Sequence, residues 1–144
     1  MSLPDVQGSM IDYRTADAIF LSQNNLRIAH CISLCQDGRL YICHHEEQLF
    51  KKNGSLKLPF IEDNSCIFEP DDDVYGKCHA MTANSHGKPR LAGNDAAIFI
   101  AATAAAKDFG VISDHQSPRF HTVHDFCTAY GVPIYTADQY FALI

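Results

Sequence analysis

No stretch of the sequence runs apolar for the 18 or so residues that a membrane-spanning helix needs. The N-terminal MSLPDVQGSM has neither a charged leader nor a long apolar core of the kind that secretion signals carry. The expectation is a cytoplasmic protein without membrane contact. Positive charge is scarce as well. Eleven Lys and Arg against 17 Asp and Glu leave a formal net charge of -6, which argues against a broad basic surface for nucleic acid and leaves room only for a local basic strip. The sequence has no CxxC pair, no HExxH, no GxGxxG after a strand and no GxxxxGK[ST], so zinc-ribbon, zincin, dinucleotide and P-loop readings fall away. Six cysteines without a secretion signal read as reduced, mostly buried thiols. Cys31 with Cys35, Cys43-His44-His45, Cys78-His79 and His121, His124, Cys127 have ligand-type side chains but no zinc-motif spacing. Internal repeats and low-complexity tracts are absent too.

What is present is enough for one globular domain. The chain has 144 residues, 47% of them hydrophobic, which suffices for a real core and leaves no room for a second domain. Residues 1–15 are polar, include Pro4 and Gly8, and read as a partly disordered segment ahead of a single domain at 16–144. The organising stretch is LAGNDAAIFIAATAAAKDFGVISDH, Leu91 to His115. From Ala96 to Phe109 only Thr103, Lys107 and Asp108 are polar, which predicts a buried helix capped by Asn94 or Asp95 and closed by Gly110. Val111 to Ser113 follow as a short strand ending at Asp114.

Elsewhere strands and helices alternate. Ala18 to Leu21 reads as the first strand, and Ser22 to Asn25 ends it and caps a helix with the stripe Ile28, Cys31, Ile32, Cys35. Arg39 to Cys43 reads as a second strand, and a helix from His44 breaks at Asn53-Gly54. Cys66 to Phe68 suits a short strand, and Asp71 to Asp73 suit the first turn of a helix over Val74 to Thr82. Asn84 to Arg90 is a locally basic loop. Ser117-Pro118 opens a helix with the stripe Phe120, Val123, Cys127, Tyr130; Val132 to Tyr135 is a last strand; Thr136 with Gln139 forms a capping box. This alternation predicts a three-layer α/β sandwich, with a mainly parallel sheet of four or five strands and helices on both faces.

In such a sheet the N-terminus of a helix and the C-terminal tip of the next strand share one edge, so Asp95 and Asp114 face one crevice. Glu46 or Glu47 follows the second strand at the same edge. Carboxylates gathered there repel unless a cation or a shared proton lies between them, and an oxygen-rich set suits Mg²⁺ or Mn²⁺ better than zinc. Such an ion activates water and stabilises the charge of an in-line phosphodiester displacement, which is the chemistry of a nuclease.

With these residues in view, the sequence resembles PIN-like domains, metal-dependent ribonucleases best known as toxins of toxin-antitoxin pairs. GNDAAIFIAATAAAKDFGVISDH is similar to that family's third acidic residue, Ala-rich helix and fourth acidic residue, and VHDFCTAYGVPIYTADQYF to its closing elements, so the likeness spans residues 93–141. It implies catalytic and metal-binding roles for Glu47, Asp95 and Asp114, with Mg²⁺ or Mn²⁺ as cofactor. RNA, an antitoxin-like protein or a second copy of the chain are the implied partners. The family's first acidic residue ends its first strand. With that strand at Ala18 to Leu21, the place falls to Ser22, with Asn24 two residues on to position substrate or water; the other register, after Ser9-Met10-Ile11, gives it to Asp12. Under the Ser22 register one anionic ligand is missing. The expected function is therefore a Mg/Mn-dependent ribonuclease or a weakened relative, or else an inactive PIN-like module that binds RNA or protein. An α/β domain whose acids are only caps is the reading outside that family.

Overall fold

The computed structural model describes residues 7–57, 60–61, 66–83, 95–115 and 122–143. The strands are β1 Gly8–Ile11, β2 Leu40–Cys43, β3 Ile67–Phe68, β4 Phe109–Ile112 and β5 Ile134–Tyr135. Between them run α1 Tyr13–Leu21, α2 Asn25–Gln36, a 3₁₀ turn His44–Glu46, α3 Glu47–Lys52, α4 Gly54–Lys57, α5 Asp72–Ala83, α6 Asp95–Lys107, α7 Val123–Ala129 and α8 Ala137–Ala142. The sheet has the order β3-β2-β1-β4-β5 and every pairing is parallel, with Met10 opposite Tyr41 and Ile11 opposite Ile112. The predicted fold class, a three-layer α/β sandwich, is the fold observed.

Parallel strands need right-handed crossovers, and these assign each helix to a face. The chain leaves β1 toward β2 on one side, later returns to β4 on the other side, and so reverses direction across β1. Ile11, Leu40, Ile42 and Ile112 accordingly pack one core with α1, α2 and the Phe50–Leu56 region, while Met10, Cys43 and Val111 pack a second core under α5, α6 and α7. In α6 the buried Ala101, Ala102 and Ala104 present little bulk, so neighbouring helices approach closely around Ile98 and Ile100. Ala105, also expected inside, is only half-buried. None of the described helices is long and apolar enough to cross a membrane.

The first strand corrects the sequence reading. Ala18 to Leu21 lies in α1, and the strand is Gly8–Ile11, at the centre of the sheet and fully buried. Four consecutive apolar residues fit a buried strand or a helix equally well. The helix wins because Asp12 caps it, its side chain accepting from Thr15 N, and because Thr15, Ala16 and Ile19 form a buried stripe at helical spacing. Gly8 and Ser9 hid the real strand, since both are poor strand formers. Gly8 is needed for space: a Cβ there would lie 3.2 Å from the Phe109 ring and 3.3 Å from the Arg39 carbonyl. The domain therefore includes residues 8–15, which had been set apart as an N-terminal segment.

Smaller departures have similar causes. Gly110 is inside β4, opposite Ser9, and the left-handed residue after α6 is Asp108, at φ 59°. Asp tolerates that conformation, which frees the glycine for the strand. Helix α7 starts at Thr122, whose side chain caps Asp125 N, and the expected Ser117-Pro118 start with Phe120 lies outside the described residues, as does the Asn84–Arg90 loop. The capping box of Thr136 and Gln139 forms as predicted.

Candidate functional site

The reversal across β1 opens a crevice beyond the C-terminal ends of β1 and β4, where doubly wound sheets bind ligands. Asp12 is the first residue after β1, and Ser113 the first after β4. One Asp12 oxygen accepts from Thr15 N at 2.8 Å, and the other takes a hydrogen bond from the Ser113 hydroxyl. That hydroxyl in turn accepts from His115 N at 3.1 Å, and Thr15 Oγ1 accepts from Asp114 N at 2.8 Å. Strand tips and helix start are thus laced together, and Asp12 is held in one orientation.

Glu46 joins from the other side. The 3₁₀ turn His44–Glu46 follows β2 directly and swings the Glu46 side chain back to β1, where Oε1 accepts from Tyr13 N at 3.1 Å. Burial, and next the charge of Asp12, push the Glu46 carboxyl up to about 7, against the Tyr13 N–H and Arg14, which act the other way. Asp12 and Glu46 line a cleft of about 340 Å³ together with Arg14, Ala97, His115 and Thr122. The two carboxylates that line this cleft are oxygen donors of the hard type that Mg²⁺ or Mn²⁺ takes.

The other sequence candidates are distributed differently. Glu47 opens α3 and pairs with Lys51 at 3.5 Å, an i,i+4 surface pair. Asp95 is the first residue of α6, beside Ala96 and Ala97 of the cleft wall, and its side chain lies outside the described residues. Asp114 is turned away: its carboxylate accepts from Ala137 N at 2.9 Å and lines a separate cleft of about 410 Å³. Ser22 lines that second cleft as well, with Arg27 and Asp138. Its hydroxyl donates to Ile19 O at 2.6 Å at the end of α1, and Asn24 caps α2 by accepting from Arg27 N at 3.2 Å. Ser22 and Asn24 are thus turn and cap residues, away from the Asp12–Glu46 cleft.

His115 is the cleft residue that sequence reasoning missed. A signal existed: past a strand tip the extended chain sends i and i+2 to one side, so His115 lies on the side where Ser113 meets Asp12, and Asp114 on the opposite side. No family model matches the chain, and no curated protein matches it either.

Proposed function

We propose that the chain is a PIN-like, cation-dependent ribonuclease of low activity whose site is the Asp12–Glu46 cleft. The observation that carries the reading is the meeting of Asp12 and Glu46, from the ends of β1 and β2, in one cleft at the point where strand order reverses. The donor set fits Mg²⁺ or Mn²⁺: both side chains are carboxylates, and Glu46 has a second oxygen beyond the one that meets Tyr13 N. When bound, such an ion supplies an activated water and offsets charge on the phosphate under attack. The chain's own residues do the rest. Arg14 at the cleft attracts the phosphate backbone, Ser113 and Thr15 hold Asp12 rigid, and His115 at the rim is placed to exchange a proton with substrate or water.

A second reading, a PIN-like module that binds RNA or a protein without cleaving it, is favoured by one feature. Both Asp12 oxygens already serve protein donors and Asp114 faces elsewhere, so fewer acids meet here than the resemblance implies. Fewer anionic ligands weaken a hard cation. Incubation of single-stranded RNA with the protein and Mn²⁺ decides. Slow cleavage that disappears in Glu46→Gln and persists in Glu47→Gln supports the nuclease. Retained RNA binding without cleavage supports the module, and neither binding nor cleavage leaves the acids as caps.

A further inference from the structure

The tip of β2 carries a second constellation, of different chemistry, immediately before Glu46 of the carboxylate cleft. Cys43, His44 and His45 are consecutive, and their candidate ligand atoms all lie within 4.8 Å of one another. Cys43 Sγ is 3.9 Å from His44 Nδ1, and the two imidazole ring centroids are 4.0 Å apart. Tetrahedral coordination with metal–sulfur and metal–nitrogen bonds of about 2.3 and 2.1 Å needs ligand atoms roughly 3.5 Å apart, so an ion requires these atoms to close by about 0.4 to 1.3 Å.

The rings are also held in place. His45 stacks on Phe99 of α6 at 4.5 Å, and His44 meets the same ring edge-on at 5.2 Å. Cys43 is buried, His44 half-buried and His45 exposed.

The geometry points to a binding site for a borderline-soft divalent ion of the Zn²⁺ class on Cys43, His44 and His45, separate from the hard-cation site at Asp12 and Glu46. On binding, the Cys43 S–H bond breaks, its proton leaves to solvent and a sulfur–metal bond forms, with no change of oxidation state. Softness separates the two sites: thiolate and imidazole select zinc-like ions, and carboxylates select Mg²⁺ or Mn²⁺.

Titration of the untagged full chain with Co²⁺, a spectroscopic stand-in for Zn²⁺, tests this without any activity assay. The expected result is a thiolate-to-cobalt charge-transfer band in the near ultraviolet that Zn²⁺ bleaches and excess Mg²⁺ does not. Cys43→Ser should remove the band. His45→Ala, at an exposed position where folding is safe, should weaken Co²⁺ binding at least about tenfold, and Asp12→Asn should leave the band intact. Absence of the band, or a band that survives both Cys43→Ser and His45→Ala, overturns the proposal.

Discussion

Glu46 is the residue at which burial and charge meet in the candidate site. Its carboxyl is raised from 4.5 to about 7 in the folded chain, so the folded state holds the proton more tightly than the unfolded state does. The stabilisation from that proton is complete below about pH 4.5 and is lost as pH rises through 7. A shift of this size corresponds to an upper bound of about 3 kcal/mol. Metal-free protein should therefore melt at a lower temperature at pH 8 than at pH 5, Glu46→Gln should flatten that slope, and Mn²⁺ should restore part of the loss at pH 8. Thermal scans across this range check it. A slope identical in wild type and Glu46→Gln would mean that the carboxyl is not under the pressure its surroundings impose. The raised thiols of Cys31, Cys43, Cys78 and Cys127 do not interfere, because they stay protonated in both states through the window.

At the scale of elements, α1 and α6 show why some of the chain was legible and some was not. Helix α6 could be read because thirteen residues with hardly a polar position have only one comfortable place, inside. Ala101→Asp should accordingly lower the denaturant midpoint by an amount equal to about 3 kcal/mol or more, since the new charge has no partner in that core. An unchanged midpoint would make the helix peripheral. Strand β1 is the weaker of the two registers that the sequence offers, because its four residues include Gly8 and Ser9, and their place in the sheet is dictated by Phe109, Arg39 and two flanking strands distant in sequence. Misplacing β1 misplaced the site: Ser22 took the role of Asp12, although Asp12 with Thr15 is a recognisable helix start. The cap also yields a test that separates structure from charge. Asp12→Asn keeps a side-chain oxygen for Thr15 N and should cost little stability, whereas Asp12→Ala should cost about 1 kcal/mol, read from denaturant midpoints of the two variants. Equal losses in both would show that the charge, rather than the cap, stabilises α1.

Across the whole molecule, topology places the candidate site. The order β3-β2-β1-β4-β5 with all strands parallel fixes a single reversal at β1, and the ends of β1, β2 and β4 deliver Asp12, Glu46 and Ser113 to it. Strand–helix alternation, which the sequence displays plainly, gives the parallel sheet and its two helical faces but not the strand order. Which of two adjacent residues points inward does not follow, because one residue of phase exchanges Glu46 for Glu47 and His115 for Asp114, and that phase is set by the 3₁₀ turn and by the Thr15 and Ala137 contacts. The most direct test of the whole account is an isothermal titration of Mn²⁺ into wild type, Asp12→Asn, Glu46→Gln, Glu47→Gln and Asp114→Asn at pH 8. The account predicts weak one-site binding that Asp12→Asn and Glu46→Gln each abolish and that Glu47→Gln and Asp114→Asn leave unchanged. Binding that survives Asp12→Asn and Glu46→Gln but is lost in Asp114→Asn would contradict it.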